Sequence, residues 1–365
     1  MNFLRRVSLS RLLLMCGLMV ALGVSATALA SALESPPRPA PKPLAQAIHD
    51  ALAAPSPAGV SARIELSNHL LEGANLASGA GGEAGQLSSS PLLAGASGRL
   101  WVAADGRMRL ELQAERGDTQ ILYDGHTAQL YDASTNTLYR YAVPQHGGSS
   151  SGGADRHDVP SVAKIEEAIS HAQEHASVST ATPADIAGQP AYTVRISPKE
   201  GGSLIGGAEL SWDAVHGVPL RAAVYSATRG APVIELAASE ISYGPVDSSV
   251  FDFTPPAGAK IHDVGSSATD SGASPSEHSS GRPKLTTRGH GISAVEILEE
   301  TLSQSAGKSG EGLPEELPKV KINGTSASEL ATPLGTLLSF ERSGVRYLLL
   351  GSVSPAAIEA VARGL

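Results

Sequence analysis

Residues 98–134, "GRLWVAADGRMRLELQAERGDTQILYDGHTAQLYDAS", have the clearest structural pattern in the sequence. Apolar and polar residues alternate along it with a period of two, which is typical of strands that bury one face. Short turn signals that tolerate a positive φ separate the alternating runs: Asp105-Gly106, Arg116-Gly117-Asp118 and Asp124-Gly125. The pattern predicts an antiparallel meander whose sheet has one apolar face and one wet face.

The alternation extends in both directions from this meander. One run precedes it and five follow it: "VSARIELSNHL" (60–70), "TLYRYAV" (137–143), "AYTVRISP" (191–198), "GGAELSWDA" (206–214), "VPLRAAVYSA" (218–227) and "PVIELAASEISYG" (232–244). The total of about eleven strands is enough for a sheet that curves until it nearly closes. We therefore predict a mainly β (α+β) fold, a strongly curved, half-open antiparallel β-barrel.

Two segments have helical rather than strand periodicity. "LAQAIHDALAA" (44–54) is ended by Pro55, and "VPSVAKIEEAISHAQEHA" (159–176) carries an apolar stripe formed by Val162, Ile165 and Ile169. A helix inserted among strands has to bury its stripe on the sheet. The pattern therefore predicts two helices, the second of them packed on the barrel.

The strand region ends in "SSVFDFTPPAGAKIHDV", residues 248–264. The alternation predicts a closing strand with Phe251 and Phe253 on the same side, and the two prolines end it because proline cannot donate to a strand ladder. Residues 265–284 are rich in Ser, Gly and Pro and contain almost no large apolar residue. Such a composition cannot offset the entropy of ordering, so it predicts a flexible linker.

A second unit follows the linker. "GISAVEILEETLSQ" (291–304) is predicted to be a helix, and "LLSFER" and "VRYLLLGSV" flank Ser343-Gly344 as a hairpin. Ser354-Pro355 begins a last helix, with an N-cap serine and a first-turn proline. These elements predict a small α/β C-terminal domain.

The N-terminus has the features of an export signal. Arg5, Arg6 and Arg11 precede an apolar run, and "ATALASA" (26–32) offers cleavage sites, of which the one after Ala30 fits best. If the segment is not cleaved, it is about long enough to anchor the chain in a membrane. Both alternatives place the rest of the chain outside the cytoplasm. The only cysteine, Cys16, lies in the apolar run, so the exported part has no disulfide.

These boundaries divide the chain into five predicted segments. They are a signal peptide or membrane anchor (1–30), a proline-rich spacer (31–43), a sheet domain (44–264), a flexible linker (265–288) and the C-terminal domain (289–365).

The sheet domain resembles the periplasmic lipoprotein-carrier superfamily, which includes LolA and the sigma-factor regulator RseB. The resemblance lies in the meander (98–134), "GQPAYTVRISP" (188–198), "ELSWDAVHGVPLRAAVYSA" (209–227) and "SSVFDFTPPAGAKI" (248–261). It implies an incomplete, strongly curved sheet with helices as a lid over an apolar cavity for acyl chains. Ala104 stands where the Gram-negative carrier has an arginine that locks the lid, so that lock is not carried over. "VRYLLLGSVSPAAIEAVARGL" (345–365) is similar to a small domain attached to exported bacterial proteins.

The resemblance implies two alternative functions. The first is an exported, non-enzymatic carrier-like protein that binds lipid or lipoprotein acyl chains. The second is an RseB-like envelope-stress sensor that acts on a membrane-bound anti-sigma factor through the C-terminal domain. Strand alternation assigns the following residues to the concave lining of the cavity: Leu100, Val102, Met108, Leu110, Leu112, Ile121, Leu130, Phe251 and Phe253. Val162, Ile165 and Ile169 are assigned to the lid helix.

Other classes of function lack their sequence signals. A net charge of −9 without a long basic block disfavours nucleic-acid binding. "SAGKSG" (305–310) has Leu302 in place of the first glycine of a phosphate loop, and no G-x-S-x-G elbow is present. His171, His175 and Glu167 have a spacing that suits a metal, but no H-E-x-x-H pattern accompanies them. We predict no enzyme activity, no cofactor and no metal site.

Overall fold

The structure is a computed structural model of the 365-residue chain. It describes residues 37–72, 91–114, 117–143, 159–264, 284–301 and 317–365. The predicted signal or anchor segment with Cys16, most of the predicted linker and the sequence "SAGKSG" lie outside the described residues. In the part that is described, no helix combines the length and the apolar character needed to cross a membrane.

The described elements are mostly strands. The helices are α1 (Leu44–Ala53), α2 (Pro91–Ala94), α3 (Val162–His175) and α4 (Pro355–Arg363). The first group of strands is β1 (Gly59–Asn68), β2 (Ala96–Ala103), β3 (Met108–Ala114), β4 (Gly117–Tyr123), β5 (Thr127–Asp132), β6 (Thr137–Ala142), β7 (Ala176–Val178), β8 (Thr182–Ile186), β9 (Gln189–Pro198), β10 (Ile205–Asp213), β11 (Pro219–Ser226), β12 (Pro232–Tyr243) and β13 (Lys260–Val264). The second group is β14 (Lys284–Arg288), β15 (Val295–Thr301), β16 (Lys319–Ile322), β17 (Thr325–Thr332), β18 (Gly335–Arg342) and β19 (Val345–Gly351).

The first thirteen strands form one large sheet. Its order is β13-β6-β5-β4-β3-β2-β1-β12-β11-β10-β9-β7, with β8 also paired to β9. The predicted meander is present as β2 to β6, and each of its strands is antiparallel to the next. Among the described strands, β13 and β7 are the two ends of this order, so the sheet is open rather than a closed barrel.

The strand register gives the large sheet two distinct faces. Leu110 lies opposite Leu100, Leu100 opposite Ala62, and Ala62 opposite Ile241. Cross-strand partners in a sheet project to the same side. We call this side the apolar face. It continues through a second row of cross-strand partners: Leu66, Leu236, Ala222, Leu210 and Val194. We call the opposite side, which carries Arg109, Glu209 and Arg221, the charged face.

The prediction of a closing strand that contains Phe251 and Phe253 is wrong. Ser248–Phe251 is a 3₁₀ turn, and Phe253 follows it in an irregular segment. The cause is local: Asp247 accepts hydrogen bonds from the backbone N and the hydroxyl of Ser249, at 2.9 and 2.7 Å, which favours a turn over a strand. After the prolines the chain forms β13, which pairs with β6 in parallel. The large sheet therefore has thirteen strands instead of about eleven, and one of its pairings is parallel.

The second sheet corrects the prediction of an α/β C-terminal domain. Its order is β14-β15-β19-β18-β17-β16, so this part is mainly β with one helix, α4. The segment predicted as a helix forms a 3₁₀ turn, Gly291–Ser293, followed by strand β15. Val295 and Ile297 are buried with Glu296 exposed between them, and β14 and β19 pair with β15 on its two sides. Strand pairing on both edges overrides the weak helical preference of this segment.

The helices cover one side of each sheet. In the large sheet, α1 places Ala47 against Tyr192, Val194 and Trp212 on the apolar face, and α3 packs against α1. In the second sheet, Ile358 and Ala362 of α4 are fully buried in the core with the strands. Both helices predicted for the first 176 residues are present, and the hydroxyl of Ser161 caps α3 by accepting from the backbone N of Lys164 at 3.4 Å.

Candidate functional site

On the part of strands β9 to β12 that α1 leaves uncovered, the usual distribution of side chains between the two faces is reversed. On the apolar face, Ile196, Leu210 and Leu236 are 44, 43 and 41% exposed. On the charged face, the side chains of Glu209 and Arg221 are each only 18% exposed. Aliphatic side chains normally occupy the buried side of a sheet. The apolar face therefore has an uncovered aliphatic surface, which is typical of a binding site.

A cavity of about 510 Å³ continues this surface at the middle of the sheet. We call it the first cavity. Side chains from β1, β2, β11 and β12 line it, most of them aliphatic: Val60, Ala62, Ile64, Leu100, Val102, Leu220, Ala222, Leu236 and Ile241. Ser56 and Arg221 also line it. A pocket of this size and mainly aliphatic composition accommodates a hydrocarbon chain.

The strand register places seven of the predicted lining residues on the apolar face. Leu100 and Val102 line the first cavity itself. Leu112 forms a buried cluster with Ala62 and Ile64, and Leu110 packs against that cluster. The other three share the face on the neighbouring strands, at register positions that follow from the same pairs: Met108, Ile121 and Leu130. Ala104, in the turn after β2, also lines the first cavity.

Phe251 and Phe253 do not belong to this group. The ring of Phe253 lies 5.5 Å from the ring of Tyr131, which is next to Leu130 on β5 and projects to the charged face. Arg109, also on the charged face, donates a hydrogen bond to the carbonyl oxygen of Val250 at 2.8 Å. The segment with both phenylalanines is therefore held against the charged face. They therefore do not share a face with the other seven predicted lining residues, because the prediction assumed that they lie on a strand.

The lid residues lie on one side of α3, as their spacing predicts. Ile165 is buried, Val162 and Ile169 are partly buried, and the rest of the helix is exposed. The ring nitrogen Nδ1 of His49 on α1 lies 2.9 Å from the carbonyl oxygen of Pro160, just before α3. Helix α1 covers the apolar face at β9 and β10, and α3 packs on α1 and on β7, so the helices cover only part of the aliphatic surface.

The charged face of the same strands is held together by ion pairs. Arg221 on β11 contacts Glu209 on β10 at 2.8 Å and Glu235 on β12 at 2.7 Å. The hydroxyl of Tyr225 donates to Glu209 at 2.7 Å, and Arg195 lies 3.0 Å from the same carboxylate. Burial opposes the ionisation of Glu209, but hydrogen bonds from Arg221, Tyr225 and Arg195 outweigh it and lower its pKa. The network links four adjacent strands.

A buried carboxylate fixes the turn between β10 and β11. Asp213 is fully buried and accepts from the backbone N of Val215 and of His216, both at 2.7 Å. The hydroxyl of Tyr243 donates to its other oxygen at 2.7 Å, and the Tyr243 ring lies 3.8 Å from that of His216. Burial opposes the ionisation of Asp213, but these hydrogen bonds lower its pKa, whereas burial and the carboxylate raise the pKa of Tyr243.

A second cavity, of about 390 Å³, lies where the large sheet meets the second unit. Its lining from the large sheet includes Ile196, Ile205 and Ala208, and the second unit contributes Gly291 and Ile292. Nearby, the backbone N of Leu204 donates to the carbonyl oxygen of Ser352 at 2.7 Å. The wall is aliphatic, with two polar side chains also lining the cavity: His175 and Glu200.

The second sheet has its own apolar surface. Its inner side packs on α4, while the register places six leucines on the outer side: Leu285, Leu298, Leu330, Leu337, Leu348 and Leu350. Leu285 and Leu350 are 62 and 54% exposed. We call this side the leucine face. Arg346, which pairs with Glu341 at 3.1 Å, lies on the same side at one end. An aliphatic surface of this kind suits a protein partner.

Sequence reasoning missed the most exposed part of the apolar face. Ile196, Leu210 and Leu236 lie on strands that alternation predicts correctly. The alternation also places them on the other face of the sheet from their sequence neighbours Arg195, Glu209 and Glu235. The signal was therefore present in the sequence. What alternation does not reveal is which face is covered, because that depends on where α1 and α3 pack.

The histidines of α3 lie on the exposed surface. The rings of His171 and His175 are 6.5 Å apart, and His171 pairs with Glu174 at 3.4 Å. No cluster of three or more metal-ligating side chains occurs among the residues with described positions.

No family model matches the chain, and no curated protein matches it. Its structure is similar to that of the Pseudomonas aeruginosa MucA/MucB complex, with 15% identity and a TM-score of 0.40 over 87% of this chain and 94% of that chain. It is also similar to a LolA superfamily protein from Nitrosomonas europaea, with 11% identity and a TM-score of 0.22 over 58% of this chain and 98% of that chain. At these values the likeness concerns the fold alone.

Proposed function

We propose that the chain is an extracytoplasmic, non-enzymatic carrier that binds the acyl chains of lipids or lipidated proteins on its apolar face. The observation that carries this proposal is the reversed exposure on β9 to β12, where aliphatic side chains are uncovered and charged ones are packed. Exposure of Leu210 and Leu236 to water raises the free energy of the sheet. An acyl chain that binds on this surface buries these side chains and lowers the free energy again.

The size of the first cavity fits this ligand class. Burial of hydrocarbon contributes about 0.8 kcal/mol per methylene, so ten methylenes contribute roughly 8 kcal/mol before the costs of ordering the chain. The lining needs no polar group for this gain. We assign the chain contacts to Leu100, Val102, Met108, Leu110, Leu112, Ile121 and Leu130, together with Ile196, Leu210 and Leu236. The proposal includes a strongly curved, half-open sheet in which Val162, Ile165 and Ile169 hold α3 as a lid.

A charge on the apolar face tests the proposal. Leu210→Asp places a carboxylate on the uncovered surface without removing a buried side chain, since Leu210 is 43% exposed. Ile261→Asp is the matched control, because Ile261 is 47% exposed but lies on β13, on the charged face, opposite Leu138. Binding of a long-chain fatty-acyl probe is measured by native mass spectrometry and by fluorescence titration.

We expect Leu210→Asp to bind the acyl probe at least about tenfold more weakly, because the chain would have to displace water from a carboxylate. Ile261→Asp should bind like the unchanged chain. If the unchanged chain binds no acyl probe, or if the two variants lose affinity equally, the carrier function is refuted.

A second candidate function is supported by the leucine face. In this alternative the chain is an RseB-like envelope-stress regulator, and the second sheet binds the extracytoplasmic part of a membrane-bound anti-sigma factor. The exposed Leu285 and Leu350 on one side of that sheet support a protein partner there. We also propose that residues 44–264 and 289–365 are separate domains, the second of them extended at its start by β14 (Lys284–Arg288), so that lipid binding and partner binding use different surfaces.

The leucine face predicts a separation of the two activities. Leu350→Asp should abolish capture of the membrane partner in a pull-down from the host envelope and leave acyl-probe binding unchanged. Leu210→Asp should weaken acyl-probe binding and leave partner capture unchanged. Partner capture that survives Leu350→Asp would argue against the leucine face as the docking surface.

A further inference from the structure

We propose that the second cavity holds the second hydrocarbon chain of a two-chain amphiphile, and that Ile292 of the second unit forms its wall. The inference rests on the proposed acyl-chain binding and goes beyond it, because it specifies a ligand with two chains and a site shared by both sheets. The first chain occupies the first cavity, and the head group stays at the exposed edge of the apolar face.

The two cavities lie on one continuous aliphatic surface. Leu236 on β12 lines the first cavity, and Ile196 on β9 lines the second. Leu210 on β10 lies between them, and all three side chains are more than 40% exposed. Neighbouring strands are about 4.8 Å apart, so the three spacings from β12 to β9 amount to roughly 14 Å. No charged side chain interrupts this row on the apolar face within the described strands, since the neighbouring charges project to the other side.

The length of the surface exceeds that of one chain. From Leu100 on β2 to Ile196 on β9 there are five strand spacings, or about 24 Å. One leaflet of a bilayer supplies about 15 Å of hydrocarbon, half of the roughly 30 Å core. A single chain therefore fills the first cavity and leaves the second empty. A two-chain amphiphile covers both.

The second unit closes the far end of this surface. Ile292 lines the second cavity and remains 38% exposed there. Gly291, beside it, has a φ of +62°, and a Cβ at this position would lie 2.7 Å from a carboxylate oxygen of Glu200. The positive φ favours glycine here, and the backbone of the second unit lies beside the Glu200 side chain of the large sheet. Because both units line the cavity, a chain bound in it contacts both of them.

The test compares ligands with one and two chains of equal length. Lysophosphatidylcholine and phosphatidylcholine with the same acyl group are delivered from cyclodextrin, and native mass spectrometry counts the bound molecules. We expect the full-length protein to bind either two single-chain molecules or one two-chain molecule, and the two-chain lipid to bind at least about tenfold more tightly, from the extra methylenes buried.

Two variants block the second cavity from opposite sides. Ile292→Asp changes the wall contributed by the second unit, and its control is Leu350→Asp, on the leucine face of the same unit. Ala208→Trp fills the cavity from the large sheet, where Ala208 is exposed and its replacement displaces no buried atom. Both blocking variants should bind one single-chain molecule and lose the advantage of the two-chain lipid. Leu350→Asp should keep it.

Each outcome decides one claim. If Ile292→Asp and Ala208→Trp both keep the stoichiometry and the two-chain advantage, the second cavity is not a chain site. If the unchanged protein binds a single one-chain molecule and gains nothing from a second chain, this inference fails while the carrier function stands. If it binds neither lipid, the proposed function fails as well.

Discussion

The buried carboxylate of Asp213 needs the hydrogen bond that the hydroxyl of Tyr243 donates, and Tyr243→Phe tests this requirement. The hydroxyl of Tyr243 donates to one oxygen of Asp213 at 2.7 Å, while the two backbone N–H groups bond to the other oxygen. Phenylalanine keeps the ring that packs on His216 and removes only the donor. One oxygen of a fully buried carboxylate then loses its hydrogen bond. Hydrogen bonds to charged groups contribute about 1.5–3 kcal/mol, so we expect the free energy of unfolding to fall by about 2 kcal/mol.

Urea unfolding followed by tryptophan fluorescence measures this change for the large sheet alone. The chain has two tryptophans, Trp101 on β2 and Trp212 on β10, and both belong to that sheet. Tyr141→Phe is the control, because Tyr141 is on the same sheet and 44% exposed. A loss below about 0.5 kcal/mol in Tyr243→Phe, equal to the control, would contradict the role assigned to the hydroxyl.

The effect of Tyr243→Phe should also depend on pH. The folded-state pKa of Asp213 is lowered, so ionised Asp213 stabilises the fold above its unfolded pKa of about 3.9. That stabilisation is lost as the pH falls through the folded value. The difference between the unchanged chain and Tyr243→Phe should therefore be full at pH 7 and shrink below about pH 4. A difference that stays constant from pH 7 to pH 3 would show that the hydroxyl acts without the charge.

Two further substitutions, one for each sheet, test the packing, and Gly188→Ala serves as the control for the large sheet. Burial raises the pKa of Glu329, and the charge of Glu359 raises it further. Ionisation of Glu329 therefore destabilises the second sheet as the pH rises through its folded-state pKa. Glu329→Gln should raise the thermal stability of the second sheet at pH 7 and change it little near pH 4. Gly217 has a φ of +68° and lies where a Cβ would be 2.2 Å from the carbonyl oxygen of Ala51, so Gly217→Ala should displace α1 and cost about 3 kcal/mol in urea unfolding. Gly188→Ala, at a φ of +72° with open space around it, should cost only about 1 kcal/mol.

The large sheet could be predicted from its sequence because its strands alternate and its turns are short. The meander from β2 to β6 and the shared face of Leu100, Leu110 and Ile121 follow from a period of two and from turns that need a positive φ. Gly106 and Gly125 do have positive φ values, 86° and 97°. Local rules of this kind fix the register without knowledge of the rest of the fold.

The secondary structure of two segments was predicted wrongly, for opposite reasons. The stretch with Phe251 and Phe253 alternates like a strand, but Asp247 bonds locally to Ser249 and Arg109 binds the following carbonyl oxygens. The stretch around Ile297 has charges spaced as in a helix, yet it becomes a strand because β14 and β19 pair with it on both sides. In the first case local hydrogen bonds override the pattern, and in the second case pairing with distant strands does. Neither effect can be derived from the periodicity of the segment itself.

The two faces of β9 to β12 depend on each other. A sheet normally gains its stability by burying its aliphatic face, but here Leu210 and Leu236 stay exposed. The strands need another source of cohesion, and the charged face supplies it, since Arg221 bridges Glu209 on β10 and Glu235 on β12 while Arg195 extends the chain of contacts to β9. Hydrogen bonds from Arg221 and Tyr225 keep Glu209 ionised despite its burial. Because these ion pairs lie on the charged face, the row of Leu236, Ala222, Leu210 and Val194 on the apolar face contains no charged side chain.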